Sequence, residues 1–375
     1  MRSRGIETLV FAHRNVEQAL QSELGAVPHF RIDTYAHSDG DPICGWLSGF
    51  DAYTRTTYQD LSALSAIDAS DAVLAASVQP VQMSALVEWQ RAFPPGRRPT
   101  VVMESFDTGL KIERTAQGPV TSVPDPRQDS RATLFRFVAK RLPPQEEGRL
   151  HVVTFEEATS HLFRVLLERP VRTLPLPYGR VTPLRNRAGA RRATVAILGH
   201  QKFAKGYDRL PEIVVELLRS RPDFRLLIQH VDPRGPPKLQ EAMRSVAMAS
   251  DRVILDEAPA GRTRWPQLLE ISDLVLCPHR PEFYTSFSAV AAEALANGIP
   301  LVVPAGTPLE KMLLEFSGAG TSFDRFEPAA IVSATGRALD DFDRFAGLAH
   351  AAALRWPLTY GPARMVDGLL SLLAS

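Results

Sequence analysis

Short apolar runs alternate with longer mixed stretches along this chain, and they do so in two successive sets. In the first set ETLVFAHR (7–14), HFRIDTY (29–35), AVLAAS (72–77), PTVVM (99–103), LHVVTF (150–155) and VRTL (171–174) read as strands. Between them, residues 15–24, 45–65, 81–93, 132–141 and 156–167 carry helix-compatible patterns, the first with Asn15 as cap. The charged segment 107–127, which contains Pro and Gly, reads as a long loop. In the second set ATVAIL (193–198), FRLLIQH (224–230), VIL (253–255), LVLC (274–277) and LVV (301–303) read as strands. Helices are expected over 209–219, 237–249, 265–271, 289–296, 309–316, 328–339, 341–353 and 365–373.

Strands alternating with helices in two sets predict an α/β chain with two doubly wound, Rossmann-like domains and a cleft between them. The expected boundaries are 1–178 for the first domain, 179–192 for a linker, 193–357 for the second domain and 358–375 for a C-terminal helix that packs back on the first. The linker, YGRVTPLRNRAGARR from Tyr178 onward, holds five Arg and almost no large apolar residue, so it reads as a solvated connector.

Composition narrows the function classes. Lys plus Arg number 43 against 42 Asp plus Glu, a net charge of +1, and this balance calls for neither nucleic acid nor an acidic membrane. No apolar run reaches the ~18 residues of a membrane span, and the start MRSRGIETLVFAH has too short an apolar segment for a secretory signal. Cys44 and Cys277 are the only cysteines, so neither a disulfide framework nor a metal set is expected and a reducing cytoplasm is the default.

Two stretches carry candidate chemistry. The first is YTSFSAVAAEALANGIPLVVPAGT, Tyr284 to Thr307. Ser288 is placed to cap a helix over Ala289–Ala296, Gly298 to end it in left-handed geometry, and Leu301–Val303 to form a buried strand. The one acid inside that helix is Glu293. It reads either as an ordinary half-exposed helix carboxylate or as a ligand group. The alanines around it leave room for close approach, and helix side chains lean toward the N-terminal end, where free N–H groups attract phosphate. A carboxylate there suits the two hydroxyls of a ribose. The second stretch is GHQKFAKG, Gly199 to Gly206, directly after the first strand of the second set. Gly199 lets backbone approach a ligand. His200, Lys202 and Lys205 supply positive charge, and Asp208 is placed to cap the next helix. By itself this loop also reads as a solvated turn with surface lysines.

Together these residues resemble the GT-B glycosyltransferases, specifically the bacterial group-1 type related to family 4. GHQKFAKG is similar to the family's Gly, basic residue, Lys-Gly loop. LVLCPHRPEFY is similar to the strand and loop lining its donor site, and SAVAAEALANGIPLVVPAGT to its strongest motif. The resemblance implies that Glu293 binds the donor ribose and that Gly199, His200, Lys202, Lys205, Ser288, Ala289 and Val290 surround the diphosphate. It implies too that Tyr284 shapes the donor pocket. The family's retaining motif has a second glutamate eight positions before the ribose acid. Thr285 occupies that slot, and Glu282 lies three residues away from it. FAHRNVEQ has no glycine where the family's first domain has a Gly-rich loop.

The implied activity is transfer of a hexose from a UDP- or GDP-sugar to a glycan or lipid-linked acceptor, retaining, without metal or cofactor. Peripheral membrane contact would come only through that acceptor. Thr285 and Glu104 are the candidate catalytic positions, Glu104 because it ends the run PTVVME. His13, His37 and Asp39 are weaker acceptor-side candidates. Two other readings stand beside this one: a catalytically impaired nucleotide-sugar-binding protein on the same fold, and a nucleotide-sugar epimerase, for which the sequence offers no convincing acid/base pair.

Overall fold

A computed structural model describes residues 5–32, 44–64, 67–106, 108, 110–115, 118–124, 129–143, 149–189, 192–231, 233, 235–283 and 287–374. The chain forms two units, Met1–Leu174 with Val366–Ser375, and Pro175–Met365.

The first unit contains β1 (Val10–His13), α1 (Gln18–Leu24), β2 (Ala26–Phe30), α2 (Cys44–Ser62), β3 (Ala72–Ala75), α3 (Pro80–Arg91) and β4 (Thr100–Glu104). It continues through β5 (Leu110–Thr115), β6 (Gly118–Pro124), α4 (Asp129–Ala139), β7 (Leu150–Thr154), α5 (Glu157–Leu167) and β8 (Arg172–Thr173). Its main sheet runs β3-β4-β7-β8, and every pairing in it is parallel. Val101, Met103 and Val152 of that sheet are buried with Val81, Trp89, Phe135 and Phe163 of the helices. A parallel pair, β1-β2, lies outside this sheet. It is tied to α2 through Asp60, which accepts from the backbone N–H of Arg31 at 2.9 Å and from its guanidinium at 2.7 Å.

The segment expected to be a long loop instead holds the antiparallel hairpin β5-β6. Its Pro, Gly and charged residues hide a strand pattern that paired backbones still satisfy. The helix after Asn15 begins at Gln18 with no side-chain cap, because the Asn15 N–H donates to His13 Nδ1 and keeps that residue in the turn.

The second unit contains β9 (Ala193–Ile197), α6 (Leu210–Ser220), β10 (Phe224–Gln229), α7 (Pro237–Met248), β11 (Val253–Asp256), α8 (Gly261–Ile271) and β12 (Leu274–Leu276). After these come α9 (Ala289–Ala296), β13 (Leu301–Pro304), α10 (Pro308–Glu315), β14 (Gly320–Phe323), α11 (Pro328–Asp340) and α12 (Phe342–Thr359). A last helix, α13 (Pro362–Leu373), begins here and ends in residues that belong to the first unit. The sheet order is β11-β10-β9-β12-β13-β14, parallel throughout. In order of appearance within the unit this is 3-2-1-4-5-6, the doubly wound order in which strands reverse direction of addition between the first and the fourth. Helices cover both faces, so β9, β12 and β13 are buried along their whole lengths, as continuous apolar runs require. The edge strand β14 has no counterpart in the sequence reading, because GTSF carries no apolar run. Only its pairing with β13 makes it a strand.

The basic run after Tyr178 is not a solvated connector at its centre. Arg187 is buried, and its guanidinium donates to the carbonyls of Leu269 (3.3 Å), Ser272 (2.9 Å), Asn297 (2.9 Å) and Gly298 (3.3 Å). These carbonyls lie at and just beyond the C-terminal ends of α8 and α9, where a helix leaves acceptors over. Burial, with Arg185 adding to it, lowers the Arg187 pKa to about 10, still high enough to keep the charge at neutral pH. Arg187→Ala is therefore expected to cost about 2–4 kcal/mol, since it strands buried acceptors. A denaturant midpoint within error of wild type would contradict this role.

Candidate functional site

The switch point of the second sheet lies between β9 and β12, and each of these strands leads into one of the two motif stretches. Residues 198–209 follow β9, and residues 277–288 follow β12 into α9. Gly199 has φ +88°, a conformation that costs an L-residue with a side chain. A Cβ there would lie 2.8 Å from Lys205 Nζ and 3.0 Å from Val290 Cγ2. The lysine amine, the glycine backbone and the first turn of α9 thus converge on one place.

Lys205 is half-buried. Burial and the neighbouring charge of Lys202 push its pKa down to about 8, while Cys277 acts weakly the other way. Lys202 and His200 are exposed on the same loop. At the helix, buried Ser288 accepts from the Ala291 N–H at 3.4 Å, as its sequence position predicts. The earlier first-turn N–H groups, of Ala289 and Val290, lie where an α-helix supplies no internal acceptor. Gly298 takes φ +71° and closes the helix, again as its position predicts. Glu293 is half-buried, and burial raises its pKa against the opposing pull of a hydrogen bond from Trp265.

Three residues that hold this arrangement are not among the sequence candidates: Gln229 lies outside the motif stretches, and Gln201 and Arg280 lie within them. Gln229, the last residue of β10, accepts the Gly199 N–H at 2.7 Å. Gln201 donates to the carbonyls of Gly199 (3.1 Å) and Gln229 (2.9 Å). Polar side chains ending a buried strand, as in FRLLIQH, are the signal that would have found Gln229. Arg280 joins the two loops. Its guanidinium lies over the Phe203 ring at 4.2 Å and the Phe326 ring at 4.3 Å, and it pairs with Asp208 at 2.5 Å and Glu282 at 3.4 Å. Its backbone N–H donates to Ala204 O at 3.0 Å.

This corrects one expectation. Asp208 does not cap α6, whose N-cap is Arg209 without a side-chain bond, because the Arg280 charge takes the carboxylate. Glu282 is likewise engaged by Arg280. His279, buried beside them, stays neutral because burial and the charges of Lys205 and Lys202 drive its pKa well below the usual histidine value. Burial pushes the Cys277 thiol up to about 12.

Asn297 shows how the helix end is fastened. Its Oδ1 accepts from Val181 N–H (3.0 Å), Thr182 N–H (2.9 Å) and the Thr182 hydroxyl (2.8 Å), and its Nδ2 donates to Glu293 O at 2.7 Å. Of the other candidates, Tyr284, Thr285, His37 and Asp39 lie outside the described residues. In the first unit, Glu104 is the buried last residue of β4. Its carboxylate accepts the N–H of Ser77, which sits in left-handed geometry at φ +56°. Burial raises the Glu104 pKa, with the Ser77 N–H opposing. His13 is half-buried, within 3.3 Å of Arg31 O.

Known structures share this architecture. Sucrose-phosphate synthase from Thermosynechococcus elongatus superposes with a TM-score of 0.64 at 13% identity, over 88% of this chain and 78% of that one. HepE from Anabaena, solved in complex with UDP, gives a TM-score of 0.58 at 14% identity over 89% and 84%. The chain has the GT-B fold. A Listeria monocytogenes protein assigned as a UDP-N-acetylglucosamine 2-epimerase also matches, with a TM-score of 0.58 at 15% identity over 98% and 87%. The GT-B fold alone thus does not choose between transfer and epimerisation. Among curated sequences, a D-inositol 3-phosphate glycosyltransferase from Xylanimonas cellulosilytica is 30% identical over 194 residues. The match takes in 50% of this GT-B chain and 44% of that relative, so less than half of the relative's length is covered. No family model matches. Among the described residues no helix is long and apolar enough to cross a membrane.

Proposed function

We propose that this protein is a glycosyltransferase that draws a sugar from a nucleoside-diphosphate donor held in its second unit. The observation that carries the reading is the meeting of Lys205 Nζ, Gly199 and Val290 at the switch point of the second sheet. A diphosphate needs cations, bare backbone and a helix N-terminus together, and this is where the chain gathers them. Glu293 would bind the ribose hydroxyls. Lys205, Lys202, His200 and the α9 start at Ser288, Ala289 and Val290 would hold the diphosphate and stabilise its departing charge. The UDP complex of HepE supports uridine as the base to try first. A hexose, a glycan or lipid-linked acceptor, a retaining outcome and the absence of a metal are the finer parts of the proposal. They rest on the motif resemblance.

The test is Glu293→Ala. Turnover of UDP- and GDP-sugars should be abolished and UDP affinity should fall roughly tenfold or more, as for a lost hydrogen bond to a charged group. The melting transition should stay near that of wild type. Full activity in the purified variant would remove the assignment.

Two observations favour a second reading, a donor-binding protein impaired in catalysis. The Glu104 carboxylate is occupied in holding the Ser77 turn, and Thr285 stands where the resembled family has an acid. Calorimetric binding of UDP-sugars with no sugar release over a broad acceptor panel would select it.

A further inference from the structure

Trp265 on α8 and Glu293 on α9 are joined by a hydrogen bond that neither motif stretch contains. The indole Nε1–H donates to Oε2 of Glu293. Both side chains are half-buried. An indole N–H is a donor only, whereas an ionised carboxylate offers about four acceptor positions on two oxygens. The bond therefore fixes the orientation of the carboxylate while leaving acceptor capacity for incoming hydroxyls. The donor works in the same direction on charge. Burial favours the protonated carboxyl, and the indole N–H favours the ionised form.

The remaining elements of the helix hold the other side of the same residue. The Glu293 carbonyl accepts from Asn297 Nδ2 at 2.7 Å, and from the Asn297 N–H at 3.0 Å. The backbone at Glu293 is thus fastened by the helix end, and its carboxylate by α8. The two elements that do this are separated in the chain by β12 and the loop after it.

We infer that Trp265 is a positioning residue that aims the Glu293 carboxylate at the vicinal hydroxyls of a ribose. On this inference it sets the preference for ribonucleotide over 2′-deoxyribonucleotide donors. It deepens the donor-site reading and rests on it. A plain structural tie between α8 and α9 would affect stability but not the choice between two nucleotides that differ by one hydroxyl.

The experiment measures, by calorimetry on the full chain, the affinities for UDP, GDP and ADP, and then for the 2′-deoxy form of the tightest binder. The comparison is between wild type and Trp265→Phe. Wild type should prefer the ribonucleotide by roughly tenfold or more, the scale of one hydrogen bond to a charged group. In W265F that preference should shrink to within about threefold, with affinity for the deoxy form little changed. W265F that keeps the wild-type preference overturns this inference and leaves the donor site intact. Wild type that binds none of the three nucleotides overturns the donor-site reading itself. A second readout does not depend on the variant folding. The Trp265 indole proton resonance of wild type should move when the nucleotide is titrated, and a resonance that stays fixed through saturation overturns the inference.

Discussion

Lys205→Ala is expected to weaken UDP binding by roughly 100-fold while leaving uridine affinity almost unchanged. The first number is the scale of a charge-assisted hydrogen bond to phosphate lost from a half-buried position. The second follows because uridine has no phosphate to lose. The pH behaviour is the sharper part. In the free protein the Lys205 pKa is pushed down to about 8 by burial and by Lys202. A bound diphosphate stabilises the ammonium and raises that pKa again. Below about pH 7 the amine is already charged, and binding takes up no proton at this site. Above pH 8 it is mostly neutral and must gain a proton to bind, so affinity falls as pH rises through 8. Calorimetry at pH 8.5 in buffers of different ionisation enthalpy should register proton uptake that the alanine variant lacks. Equal uptake in both proteins, or uridine weakened as much as UDP, would contradict the placement of Lys205 at the diphosphate.

Gly206→Ala is expected to be the most damaging single methyl group in the site. Gly206 has φ +74°, and a Cβ there would stand 2.2 Å from Pro278 O and 2.8 Å from the Phe326 ring. The first obstacle is backbone and cannot rotate away. Left-handed strain costs about 1–2 kcal/mol, and overpacking against fixed atoms adds about 1–3 kcal/mol. Gly318 separates the two effects, since it has φ +72° with nothing within 4 Å of its Cβ position. Gly318→Ala should therefore lose only about 1–2 kcal/mol. Gly206→Ala should lose more, and it should also lose nucleotide affinity, because the clash pushes the Lys205 loop off the segment at Pro278. Equal denaturant midpoints for the two variants would show that the loops do not press on each other.

Much of this site is legible in the sequence, and the reason is that its signals are local. Ser288 reaches an N–H three residues away, and Gly298 needs only its own left-handed geometry. The runs LVV and ATVAIL need only to be apolar throughout to suit a strand buried on both faces. Asp208 shows where local reasoning stops. As a helix cap it is well placed in sequence, yet the charge of Arg280, 72 residues away, takes its carboxylate. The hairpin β5-β6 and the edge strand β14 are not legible locally for a related cause. In both it is backbone pairing with a neighbour that makes the strand, which the surrounding Pro, Gly and charged residues or the short run GTSF do not announce.

The sequence by itself determined that the second half alternates parallel strands with helices. It also marked Gly199, Lys205, Ser288 and Glu293 as the residues with chemistry to offer, since glycine geometry, helix caps and apolar runs act within a few residues of where they are written. Only the tertiary structure decided which partners those residues have. Gln229 on Gly199, Trp265 on Glu293, Arg280 between Phe203 and Phe326, and Arg187 beneath two helix ends are contacts across the chain. They arise because the strand order brings β9 beside β12 and so sets two distant loops against each other. No spacing along the chain encodes that adjacency. It is fixed by burying the apolar faces of six strands at once.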